Sequence, residues 1–150
     1  MSRLKTWCKR AAIALAALLV VAQLVRPEHT NPPATVEVDA PEDVRVVLRR
    51  ACYDCHSNAT VWPWYSHVAP ISWLVAHDVD EGRGDLNFST WDAYSAAKRA
   101  KKMKEIVETV EEGEMPLWFY VALHPDARLS ADDRARLTAW ARMRMADAGR

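Results

Sequence analysis

The chain has 150 residues and a mass of 17.0 kDa, with Lys plus Arg and Asp plus Glu at 20 each, so its formal net charge is zero. Half of the residues are hydrophobic and 27% are charged, which excludes wholesale disorder and leaves room for one domain. A neutral whole has no electrostatic footprint for nucleic acid, and none is expected as a partner.

The neutrality conceals an asymmetry. Residues 1–26 hold five basic residues (Arg3, Lys5, Lys9, Arg10 and Arg26) and no acidic one, so the other 15 basic residues face all 20 acidic ones and the body has a net of −5. After the first four charges comes an apolar run from Ala11 to Ala22. Gln23 interrupts it, Leu24 and Val25 resume it, and Arg26-Pro27 ends it. Basic residues followed by apolar ones are the pattern of an uncleaved signal anchor or a secretory signal. Segment 1–26 is therefore expected to be a single-pass inner-membrane helix with the body in the periplasm, or a leader cleaved near Ala22. Cys8 precedes the apolar run, so it is not placed as a lipoprotein acceptor. Residues 27–40 contain Pro27, Pro32 and Pro33 and read as an extended linker. The folded domain is expected over 41–150.

Pro41-Glu42-Asp43 opens a helix, with acids at its positive end. Val44, Val47, Leu48 and Ala51 recur at helical spacing, and Arg49 and Arg50 suit the negative end. This helix runs into Cys52. Residues 57–68 read as irregular, and Pro70 starts a helix through His77. Residues 78–85 are polar, contain Gly82 and Gly84, and read as a loop. Ser89 or Thr90 caps a helix carrying Trp91 and Tyr94. A long helix follows, with Ala96, Ala97, Ala100, Met103, Ile106, Val107 and Val110 as its apolar stripe. Lys98, Arg99, Lys101, Lys102 and Lys104 form its solvated face. Gly113 ends it, Met115-Pro116 follows, and residues 117–123 are apolar and aromatic. Ser130 to Asp133 resembles a capping box with Asp in place of Glu. Leu137, Trp140 and Ala141 give the last helix its buried face. No strand pair is evident, so the fold class is all-α.

Cys52-Tyr53-Asp54-Cys55-His56 reads C-x-x-C-H, the attachment signature of haem c. Two thiols at this spacing can form thioethers with two vinyl groups on one porphyrin edge, and the next residue then reaches the iron. A redox disulfide would need a strand-then-helix context, and a zinc site would need a second cysteine pair; neither is present. The expected architecture is a small cytochrome c-like helical domain wrapped around one covalently attached haem, with Cys52 and Cys55 as attachments and His56 as an iron ligand. Met115 is the candidate for the sixth ligand, since Pro116 restricts it to extended geometry in a loop well after the motif. His67, His77 and His124 are its rivals. Trp62, Trp64, Tyr65, Trp73 and Trp118 are read mainly as core packing, with one or two touching the macrocycle.

Beyond this motif, the stretch Asn58 to Tyr65 with its W-P-W-Y, P-x-S-W at Pro70 to Trp73, L-N-F-S at Leu86 to Ser89 and G-E-M-P at Gly113 to Pro116 resemble the bacterial haem-binding domain family. The resemblance covers roughly residues 41–145. It implies thioethers at Cys52 and Cys55, His56 as proximal ligand and Met115 at the family's M-P position. The family often has a second proline there; this chain has Leu117. With both axial positions filled, the expected function is single-electron transfer rather than catalysis, with a basic redox protein as partner for the acidic body. The alternatives are a haem enzyme or gas or redox sensor with an open distal site, or a haem subunit of a membrane complex.

Overall fold

The computed structural model describes residues 2–148, and every regular element among them is helical. The chain divides into two compact units, residues 2–30 with 62–78 and residues 31–61 with 79–148.

The first unit begins with α1 (Ser2–Ala22), an Ala- and Leu-rich stretch without Gly or Pro. It ends where Gln23 intervenes. The Gln23 side-chain amide donates to Leu19 O at 2.8 Å and to Ala69 O at 3.1 Å, and accepts from Ala69 N–H at 3.0 Å. Trp73 Nε1–H donates to Val25 O at 2.8 Å. The polar residue that breaks the apolar run is therefore an amide clamp on the segment around Ala69. The length of the apolar part of α1 corrects the expected inner-membrane anchor and the location built on it. Charges occupy the first turns of α1, and Leu24-Val25 lies beyond the helix. The apolar part, Ala11 to Ala22, rises only about 18 Å at about 1.5 Å per residue, against a hydrocarbon core of about 30 Å. Among the described residues no helix is long and apolar enough to cross a membrane.

The second unit contains α2 (Glu42–Ala51), α3 (Tyr53–His56), α5 (Ala96–Glu112), α6 (Trp118–Leu123) and α7 (Ala131–Ala148). The helix α4 (Ile71–Asp85) contributes its later turns to this unit. Helix α2 follows its sequence pattern: Glu42 and Asp43 lie in the first turn, Arg49 and Arg50 in the last, and Val44, Val47, Leu48 and Ala51 are buried. Helix α5 packs on α7, and α7 on α2. Leu48, Phe88, Met103 and Leu137 are each 1% exposed at the centre of this core, and burying each such side chain contributes about 1.5–3 kcal/mol. Residues 31–40 are extended along the same unit. Val38 N–H donates to Phe88 O and Trp91 N–H to Val36 O, and Val38 and Ala40 are buried in the core.

Four local expectations are corrected. Residues 78–85 are helical rather than a loop, because α4 continues through both glycines. Trp91 and Tyr94 sit on and just after a 3-10 turn, Phe88–Ala93, rather than an α-helix; the Asn87 side chain accepts from Ser89 N–H and fixes that turn. Ala96 and Ala97 are exposed. Lys102, assigned to the solvated face, is buried, because its ammonium pairs with Asp85 Oδ1 and Glu105 Oε2, each at 2.7 Å.

The capping box forms as its sequence implies. Asp133 N–H donates to Ser130 Oγ at 3.1 Å, and Ser130 N–H donates to Asp133 Oδ2 at 2.9 Å. Arg50 reaches the same carboxylate at 2.6 Å and ties α2 to the start of α7. Burial alone would raise the Asp133 pKa, but hydrogen bonds from Arg50 and Ser130 outweigh it and push it down to about 2, from 3.8. A carboxylate depressed in the folded state gives stability that is present above the unfolded pKa and lost as pH falls through the folded one. Solvent screening holds this to about 1 kcal/mol, on the scale of a helix cap. Asp133→Asn is therefore expected to lower stability by about 1–2 kcal/mol at neutral pH, with the difference closing as pH falls from about 4 to 2, as urea titrations at several pH values would show.

Candidate functional site

The C-x-x-C-H turn forms where α2 stops. Cys52 N–H still donates to Leu48 O, and Cys55 and His56 N–H both donate to Cys52 O, closing the single turn of α3. Tyr53 points into the core, 5% exposed, and stacks on Phe88 with ring centres 5.6 Å apart. That anchor leaves Cys52 and His56 in the wall of a cleft, together with Leu86, Phe88, Ile106 and Met115. The cleft encloses about 570 Å³ when the open solvent at its mouth is included. Cys55 is not in that wall. Its main-chain carbonyl instead faces α4 at Gly82, where a Cβ would stand 2.6 Å from the Cys55 oxygen.

This close approach aims His56. Its Nδ1 lies 3.0 Å from Gly82 O and 3.1 Å from Leu86 O. Carbonyls only accept, so Nδ1 carries the proton and the lone pair is on Nε2. A backbone carbonyl on one ring nitrogen is the usual way to orient an imidazole that ligates a metal through the other. Burial pushes the Cys52 thiol up to about 12, with Cys55 adding to the shift and Arg50 opposing it, so Cys52 is a thiol at neutral pH.

Met115 reaches the same cleft through a tight helix end. Gly113 has φ of 76°, a left-handed conformation natural to glycine, and Glu114 and Met115 N–H both donate to Thr109 O. The chain thus doubles back over the last turn of α5, whose Thr109 and Val110 also line the cleft. Lys102 forms part of the wall with Asp85 and Glu105. Burial alone would lower its pKa; the hydrogen bonds to the two carboxylates outweigh that and raise it.

The turn is held from behind by polar residues that the motif reading missed. Asn87 Nδ2 donates to Asn58 Oδ1 at 2.8 Å, and Asn58 N–H donates to Ser89 Oγ at 3.0 Å, all three residues being buried. Arg83 donates to Ser57 O and to Thr60 Oγ1, each at 2.8 Å. Asp54 accepts from Val61 N–H at 3.0 Å and from the Tyr120 hydroxyl at 2.7 Å. The L-N-F-S stretch was the available signal, since buried amides and hydroxyls must find partners.

The rival histidines have other surroundings. His67 and His77 are exposed members of the first unit. His124 stacks on Tyr120 with ring centres 4.1 Å apart, and its Nδ1 lies 3.1 Å from Tyr120 O. Three of the aromatic residues read as core packing are corrected: Trp64, Trp73 and Trp118 are exposed, whereas Trp62 and Tyr65 are half-buried. Trp91 and Trp140 are the buried tryptophans.

A largely apolar cleft, a histidine with its lone pair set on Nε2, and thiol and thioether sulfurs in the same wall are donor types that haem proteins use. The chain belongs to the haem-binding domain family, whose model matches residues 17–143. No curated protein and no solved structure matches it.

Gly82 is the position where a single methyl group would separate α4 from the motif. Gly82→Ala is expected to cost about 2–3 kcal/mol in denaturant unfolding, since the added carbon meets main chain that cannot swing away. Gly84→Ala, with nothing within 4 Å of its Cβ, should instead be neutral or gain up to about 1 kcal/mol from helix propensity.

Proposed function

We propose that this chain is a c-type haem protein that carries single electrons. Cys52 and Cys55 would hold the haem through thioethers, and His56 Nε2 and Met115 Sδ would ligate its iron. The observation that carries this reading is the commitment of His56 Nδ1 to two carbonyls in a cleft shared with Cys52 and Met115. The bound haem would supply a ferric/ferrous couple. The chain's own part is to orient, to ligate and to exclude water. Gly82 and Leu86 set the imidazole, Phe88 and Ile106 keep the wall dry, and the Gly113 turn presents the thioether. With His56 and Met115 both committed to it, the iron would have no open coordination site for a substrate, which favours electron transfer over catalysis. A thioether ligand also raises the reduction potential relative to a second imidazole. The acidic balance of residues 27–150 suits a basic redox partner, through attraction that salt screens.

Co-expression with haem-attachment machinery provides the test. The parent chain should retain haem through denaturing electrophoresis, and the Cys52→Ala, Cys55→Ala double variant should lose it. Haem retained in the double variant would refute covalent attachment at these positions. Met115→Ala should keep the covalent haem, lose the sulfur-to-iron absorption band and bind carbon monoxide when reduced. An oxidised spectrum identical to that of the parent would remove Met115 from the iron. A parent that itself binds carbon monoxide without denaturant would replace the carrier with an enzyme or sensor.

A further inference from the structure

The first unit contains a second histidine set up for ligation. His29 lies in the segment after α1, and its ring stacks on Trp62 with centres 4.2 Å apart and planes 21° from parallel. Its Nε2 is buried and meets no hydrogen-bond partner. A buried polar nitrogen without a partner is costly in a folded protein, and this one belongs to a ring that packs beside a second imidazole. His67, exposed on the 3-10 turn Trp64–His67, has its ring centre 4.6 Å from that of His29, with planes 74° apart. Two imidazoles sharing one ion through nitrogens about 2.0–2.1 Å away place their ring centres roughly 4.5–5.5 Å apart. Both rings line one cavity of about 350 Å³ including its mouth, with Gln23, Arg26 and Ser72.

We propose that His29 and His67 form a binding site for a borderline divalent transition-metal ion, with Zn²⁺ as its representative, separate from the haem cleft. Imidazole nitrogen suits such ions. Burial and the adjacent His67 lower the His29 pKa, which keeps the ring in the neutral form that ligates. Among the described residues no cluster of three or more His, Cys, Asp or Glu forms a metal site. The protein therefore supplies two donors here, and water or an external ligand completes the shell. Such a site is open and exchangeable rather than structural. Arg26 on the same wall is exposed, with its Nε–H donating to Gln23 O at 3.3 Å, so its charge is screened by solvent.

The test is a Zn²⁺ titration of the full-length chain, followed through its histidine ring resonances by NMR. The His29 and His67 signals are expected to shift together and saturate at one equivalent. His67→Gln removes an exposed side chain and should leave the fold intact while weakening binding about tenfold or more; His29→Gln should do the same. His29 and His67 signals that stay still while the His56 signal moves would show zinc held by the C-x-x-C-H turn and overturn the proposal. Unchanged affinity in His67→Gln would overturn it too. Neither readout depends on haem attachment, so the two readings can fail separately.

Discussion

The contact between α4 and the C-x-x-C-H turn is the constraint on which the second unit depends. At Gly82 the helix comes so close to Cys55 that no side chain fits. The carbonyl of this glycine, Gly82 O, accepts from Leu86 N–H and from the His56 ring. One residue without a Cβ therefore permits the approach, and its main chain orients the imidazole. A larger residue would push α4 away and release His56 from both carbonyls at once. The cost would exceed one hydrogen bond, because an imidazole free to rotate no longer presents a defined nitrogen to the cleft.

Around that contact the unit combines two kinds of stabilisation. The helices α2, α5 and α7 bury an aliphatic and aromatic core, and this burial is the main favourable contribution. The turn and the residues after it are instead held by polar groups taken out of water: Asn58, Asn87 and Ser89 bond to one another, and Arg83 spans the loop from Ser57 to Thr60. Each group in such a network is costly to bury alone and stable only with its partners in place. The network thus fixes position more than it adds stability. Lys102 follows the same rule at the cleft wall, since only the carboxylates of Asp85 and Glu105 make its burial tolerable.

His56 and His29 are the two imidazoles placed to ligate. In His56 the main chain engages Nδ1 and leaves Nε2 as the acceptor; in His29 the buried Nε2 meets no hydrogen-bond partner. They differ in what surrounds them. His56 lies in a largely apolar cleft with sulfur side chains, whereas His29 lies between a tryptophan and a second histidine. Soft sulfur beside one and imidazole beside the other favour different ligands. The family match begins at residue 17, inside α1, so the shared domain takes in the end of that helix and the segment that carries His29.

Much of this was legible in the sequence. The all-helical class, the bounds of α2, the stop at Gly113 and the capping box at Ser130 each rest on interactions among residues within a few positions of one another, and local chemistry decides these. The C-x-x-C-H motif was legible for the same reason, being five adjacent residues. The leader misled because apolar composition does not measure helix length: α1 stops at Ala22, where Gln23 turns its amide to Ala69, 46 residues away. Gly82 and Gly84 read as loop residues because propensity penalises both alike, yet a close approach by Cys55 uses one and nothing crowds the other. Lys102 read as solvated because its acid at Asp85 lies on another helix. The sequence by itself determined the elements and the turn that bears the cysteines and His56. Only the tertiary structure decided which nitrogen of His56 holds the proton, that Met115 shares its cleft, and that His29 meets His67, because each depends on a close contact between segments distant in the chain.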